Sequence, residues 1–115
     1  LRPEQLHPIL CDHSPHQATE DYAAELRRFF GEQPPQFDLV FLGLGEDGHT
    51  ASLLPGSEAL YEDVHWTAVT RRAHEPFSLV TLTAPLLNQA ALVVFLVTGR
   101  SKANVLQSIL EETGQ

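Results

Sequence analysis

The chain has 115 residues, 15 acidic and 7 basic side chains, a formal net charge of −8 and 43% hydrophobic residues. That is at most one domain, large enough to bury a core, and its negative charge removes the usual electrostatic warrant for a nucleic-acid partner. One cysteine excludes an internal disulfide and suits a reducing compartment. With no apolar run of membrane-span length and no signal-peptide pattern, the expectation is a cytoplasmic protein without a membrane partner.

That cysteine, Cys11, lies among His7, Asp12, His13 and His16. A single thiol with scattered imidazoles lacks the ligand spacing of a structural zinc site, so the segment reads as a polar loop and no metal is expected. Thr19 then offers a helix cap, with Glu20 and Asp21 in the first turn, Arg27 and Arg28 in the last and Gly31 just past the end. Tyr22, Ala23, Leu26, Phe29 and Phe30 fall on one apolar face. Pro34-Pro35 separates this helix from a strand predicted over 37–42, where the near-continuous run Leu39 to Leu42 suits a strand covered on both faces.

The strand opens directly into a glycine-rich turn, Gly43-Leu44-Gly45-Glu46-Asp47-Gly48-His49-Thr50. In parallel α/β sheets, ligands sit beyond the carboxyl ends of strands, which is where this turn falls. Gly43, Gly45 and Gly48 match the spacing of a dinucleotide fingerprint, but the context does not. Glu62 and Asp63 precede the next apolar run instead of ending it, and Pro55-Gly56 stops any helix begun near Thr50 after about one turn. No nucleotide cofactor is expected.

Residues 55–64 read as a turn-rich, acidic connection, 65–71 as a strand and 77–83 as another, with Leu79, Val80 and Leu82 apolar. Thr83 and Pro85 start a short helix. Leu92 to Val97 is a second fully apolar strand, ending at Thr98-Gly99-Arg100-Ser101-Lys102, and a helix follows through about Thr113 with Ala103, Leu106 and Leu110 on one face. Two buried-type strands each ending in a glycine turn make an α/β pattern, without repeats or low-complexity linkers.

Chemistry concentrates at the two turns. His49 follows Asp47-Gly48, where the backbone bends sharply and the ring can face a cleft; its titration range suits a general base at neutral pH. The bland alternative is a ring that packs or caps at the turn. Asp47 either orients the imidazole, binds a substrate hydroxyl or is an ordinary turn carboxylate. The helix start after Gly99 presents free N–H groups to an anion and Lys102 adds a charge, though a solvated surface lysine reads equally well. Charge is uneven: residues 1–66 hold 12 acids and 3 bases, residues 67–115 hold 3 acids and 4 bases. An anionic ligand belongs toward Arg71, Arg72, Arg100 and Lys102. The remaining histidines, His7, His13, His16, His65 and His74, have no organised partner in sequence.

The run FDLVFLGLGEDGHTASLLPGS, followed in register by LVTLTAPLL and VVFLVTGRSKANVL, resembles the 6-phosphogluconolactonase family, within the wider group of sugar-phosphate isomerases and deaminases. The match covers most of residues 37–110. It implies a Rossmann-like, mostly parallel sheet flanked by helices, incomplete here, in one partial α/β domain over 1–115 with a catalytic loop at 43–50 and a phosphate-binding strand-turn-helix at 92–113. It also implies hydrolysis of 6-phospho-D-glucono-1,5-lactone to 6-phosphogluconate in the pentose phosphate pathway, without metal or nucleotide. His49 would deprotonate the attacking water with Asp47 beside it. Backbone N–H groups from Gly43, Gly45 and Gly48 would bind substrate oxygens, and Lys102 would hold the phosphate with help from Arg100 and Arg71.

Isomerases and deaminases of the wider group carry a glutamate where this chain has Leu54, which cannot transfer a proton. The resemblance therefore favours the lactonase over an amino-sugar-phosphate isomerase. Family members are longer, and nothing in residues 1–36 matches their Ser-Gly-Gly phosphate loop, so the chain is expected to be a fragment with an uncovered sheet edge. The competing expectation is a truncated, inactive lactonase-like domain that associates with a second copy or another partner through that edge.

Overall fold

The computed structural model describes residues 1–111. Helix α1, Pro15–Phe30, starts a turn earlier than Thr19. Ser14 supplies the cap, its Oγ accepting the Gln17 N–H at 3.1 Å, and Pro15 fits the first helical position because its fixed φ is already helical. Glu20 and Asp21 consequently lie beyond the first turn. At the other end Gly31, at φ 64°, donates to the Arg27 carbonyl at 2.8 Å and closes the helix where expected. Ala18 and Leu26 form its buried stripe, whereas Phe29 stays on the flank in an edge-on stack with His7 and Phe30.

Strand β1, Val40–Leu42, pairs in parallel with β4, Val93–Phe95, in the register Val40 with Val93 and Leu42 with Phe95. Hydrogen bonds from Ala91 to Phe37 and from Leu96 to Leu42 extend the ladder almost to the predicted ends. Between them, β2, Thr67–Thr70, and β3, Leu79–Leu82, form an antiparallel pair. A connection as short as 71–78 allows no other arrangement, since a parallel crossover needs about a dozen residues or more. Helix α1 packs on β2 and β3.

Helix α2, Ala84–Asn88, is short but firmly held. Thr83 is completely buried, its Oγ1 donating to the His65 carbonyl at 2.6 Å, and Leu86 beside it is also inaccessible. Leu53, Ala59 and Leu87 make the core, with Val40, Leu42, Ala68, Leu82 and Ala84 packed around them. The expectation that 39–42 is covered on both faces fails: Phe41 is 60% exposed on one face, and on the other Phe95, the partner of Leu42, is 52% exposed. The physical reason is that α1 lies on the hairpin, and α3, Ala103–Glu111, buries none of its described residues. Only Val105 and Leu106 of α3 are half-buried, while Ala103 and Leu110 face outward. The predicted end near Thr113 lies outside the described residues.

Because β1 and β4 are parallel neighbours, their carboxyl ends deliver both glycine turns to one edge of the ladder. A Cβ placed on Gly48 would meet Val105 Cγ2 at 3.5 Å, so the first turn of α3 reaches the loop that carries His49.

Candidate active site

The Gly43–Thr50 loop is closed on itself. Gly45 N–H donates to the His49 carbonyl at 2.8 Å, Gly48 N–H to the Gly45 carbonyl at 3.0 Å, and Thr50 Oγ1 to the Gly43 carbonyl at 2.7 Å. Gly48 sits at φ 91°, a conformation that costs a side-chain-bearing residue strain. Position 45 is more restrictive still. A Cβ there would lie 2.1 Å from His49 Nδ1 and 2.8 Å from Asp47 Oδ1, so glycine is what lets these two side chains fold under the turn.

Asp47 Oδ1 accepts two hydrogen bonds from His49, one from its backbone N–H at 3.0 Å and one from ring Nδ1 at 2.5 Å. The backbone donor first, and the ring second, hold the Asp47 carboxyl below its ordinary range. An ionised carboxylate only accepts, so Nδ1 carries a proton, and in the neutral imidazole the lone pair is then on Nε2. A second neighbour agrees: Arg72 Nη2 lies 3.4 Å from Nε2, and a guanidinium only donates. The ring is 17% exposed while Asp47 is half in solvent. The imidazole is thus fixed in orientation and tautomer, with its basic nitrogen directed at a cation.

Asp47 and Arg72 line an open cleft of about 530 Å³ together with Leu54, Ser57, Arg71 and Glu75. Leu54 is buried in its wall. Below the loop, Ser52 N–H donates to Thr81 Oγ1 at 3.1 Å, tying the segment after His49 to β3. Among the residues singled out in sequence, Asp47 and His49 come together with Gly43, Gly45 and Gly48 around them. The N–H groups of Gly45 and Gly48 are already engaged inside the loop, so neither is free to donate to a ligand. Arg71 is near the cleft, but its Nε is held by the Glu75 carbonyl at 2.9 Å.

Lys102 and Arg100 occupy the short 3-10 turn Arg100–Lys102 that leads into α3, after Gly99 at φ 90°. Lys102 is half-buried and Arg100 exposed. Among the described residues neither makes an ion pair. Arg72 was visible in sequence only as one of four bases in the second half; its approach to His49 depends on how the β2–β3 hairpin packs beside the loop, a long-range relation that no local spacing shows. His7 also gains a partner that spacing could not show, its Nδ1 lying 2.8 Å from Glu25 Oε1, and His65 Nδ1 is 3.2 Å from Glu62 Oε2. No cluster of three or more metal-ligating side chains occurs among the described residues, and none of their helices is long and apolar enough to cross a membrane.

The family profile of glucosamine-6-phosphate isomerases/6-phosphogluconolactonase matches residues 1–115. The 6-phosphogluconolactonase of Rattus norvegicus is 48% identical over 97 residues, covering 83% of this chain and 38% of the relative. That of Homo sapiens is 47% identical over 98 residues, covering 84% and 38%. Among solved structures, the 6-phosphogluconolactonase from Thermotoga maritima superposes with a TM-score of 0.81 at 31% identity, over 98% of this chain and 50% of that one. The chain therefore spans half or less of the length of these relatives, and its α/β fold corresponds to part of theirs. With a match that runs from its first residue to its last, the chain belongs to the glucosamine-6-phosphate isomerase/6-phosphogluconolactonase family.

Proposed function

We propose that the protein carrying this chain hydrolyses 6-phospho-D-glucono-1,5-lactone to 6-phosphogluconate, a carboxylic ester hydrolysis acting on a small sugar phosphate in the pentose phosphate pathway. The observation that carries this reading is the Asp47–His49 pair, a base whose tautomer is set before substrate arrives. His49 Nε2 takes a proton from water as the water oxygen bonds to the lactone carbonyl carbon. The ester bond to the ring oxygen then breaks, and that oxygen leaves with the proton returned from Nε2. Asp47 stabilises the transient imidazolium through Nδ1–H. A positioned base of this kind contributes roughly 10²–10⁴-fold.

The turn after Gly99 supplies the phosphate seat in this account, with Lys102 as the main cation, Arg100 beside it and Arg71, which lines the cleft with Asp47, as a further cation. These groups, with Gly43, Gly45 and Gly48 shaping the loop, make up the substrate site over 43–50 and 92–113. Leu54 in the cleft wall argues against isomerisation, because a carbon-to-carbon proton transfer needs a titratable group there. The exposed thiol of Cys11 suits a cytoplasmic setting.

The test follows acid release from freshly generated lactone, with the spontaneous rate subtracted, for the wild type and His49→Ala. A rate above the blank that disappears in the variant supports the lactonase; equal rates for the two overturn it. Exposure of Phe41 and Phe95, which lie on opposite faces of the β1–β4 ladder, favours a second reading, a truncated, inactive lactonase-like domain that associates with a second copy or another partner through its uncovered sheet edge. A sharp monomer peak in sedimentation together with intact lactonase activity contradicts that reading.

A further inference from the structure

The ester carbonyl needs a partner for the charge that develops on its oxygen, and the loop's own N–H groups at Gly45 and Gly48 are engaged internally. The donor that stands beside the base is Arg72, its Nη2 3.4 Å from His49 Nε2. We propose that Arg72 is a further catalytic residue, the donor that receives the lactone oxyanion. This rests on the lactonase reading and adds a role for a side chain outside the family motif.

The geometry follows from where water must sit. A water donating to Nε2 lies on the side of the ring that Arg72 flanks, and the carbonyl carbon it attacks lies about 3 Å further on. Arg72 is exposed, has no carboxylate partner among the described residues, and lines the same cleft as Asp47. At 3.4 Å the contact with Nε2 is long for a hydrogen bond, so it yields to water and substrate at little cost. Once displaced by a small rotation, the guanidinium stays next to the reacting carbon. Arg71, Glu75 and Asp47 are the other charged groups lining the cleft.

In the addition step the water oxygen bonds to the carbonyl carbon and its proton goes to Nε2. The C=O π pair moves onto the carbonyl oxygen, where Arg72 donates to it. The pair then returns to re-form C=O as the bond to the ring oxygen breaks and that oxygen takes the proton from Nε2. No oxidant, reductant or second substrate is required. Because the oxygen carries full charge only after attack, the interaction strengthens in the transition state and acts on kcat.

The experiment compares the full-length wild type with Arg72→Ala, Arg72→Lys and His49→Ala in blank-subtracted lactone hydrolysis, with and without added guanidinium ion. The expected result is a loss of about 100- to 1000-fold in kcat for Arg72→Ala, with KM within about threefold. Added guanidinium restores part of that rate, Arg72→Lys loses less, and His49→Ala gains nothing from guanidinium. Arg72→Ala with a near-wild-type or raised kcat overturns the proposal, as does a change confined to KM. So does a loss that neither guanidinium nor lysine softens. A full-length wild type no faster than the blank overturns the lactonase reading and this role with it, whereas an active wild type with an equally active Arg72→Ala removes the role alone.

Discussion

The two glycine turns at the ends of β1 and β4 lie at one edge of the same parallel ladder and are built on opposite principles. The Gly43–Thr50 loop ties its backbone to itself, sets a glycine against an imidazole and pins that ring through Asp47. The Gly99–Lys102 turn is a single turn of 3-10 helix, closed by a Lys102 N–H to Gly99 carbonyl bond at 3.3 Å, with its cations unpaired among the described residues. Proton transfer tolerates little positional error, so the first turn is over-determined. In the proposed mechanism the second turn holds a phosphate, which needs charge more than exact placement, and Lys102 on its flexible stem would supply it.

On the proposed lactonase reading, substitutions in the first turn are expected to act on the chemical step and substitutions in the second on binding. His49→Gln removes the base and lowers kcat by roughly 10²–10⁴-fold, measured in the blank-subtracted assay with little change in KM. Gly45→Ala comes next: its methyl would fall 2.1 Å from Nδ1, so the ring must leave its seat. A loss in kcat of about 100-fold is expected from displacement by an ångström or so, and unchanged kinetics for this variant would show that the loop is not the rigid element described.

Lys102→Ala separates the turns most clearly. It raises KM by about tenfold, the effect of losing one charge-assisted contact of some 1.5 kcal/mol, while kcat moves little. A fall in kcat at constant KM would place Lys102 with the chemistry and erase the distinction. The smallest effect concerns acid. The Asp47 carboxyl is held below its ordinary value of 3.8 by the His49 backbone N–H and ring, so its contribution is fully present above that value and lost as pH falls through the lowered one. Thermal melts of the wild type and Asp47→Asn should differ above pH 3.8 and converge in stronger acid; a difference that grows as pH falls has the wrong sign.

Much of this arrangement was legible along the chain because it is local. The apolar runs into Gly43 and Gly99 located both parallel strands and their turns, and the Asp47-Gly48-His49 triplet placed carboxylate and ring two residues apart, close enough for Asp47 to reach both His49 donors. Gly31 marked the end of α1 for the same reason. What was not legible depended on distant partners or on competition. Thr19 and Ser14 are both good caps, and Pro15 decided in favour of Ser14. The open face at Phe41 arises from where α1 packs. Arg72 meets His49 through a hairpin 23 residues downstream in sequence, and the engaged N–H groups of Gly45 and Gly48 emerged only with the loop's geometry.

The most direct test of a prebuilt base is the protonation state of His49 in the unliganded protein. Long-range ¹H–¹⁵N correlation of the imidazole near neutral pH, with His49→Gln for assignment, reads the tautomer without relying on turnover. The expected spectrum shows a protonated Nδ1 and a lone-pair Nε2, with the preference lost in Asp47→Asn. A wild-type ring that is protonated on Nε2, or that averages equally between tautomers, would contradict the claim that this loop sets its base before substrate binds.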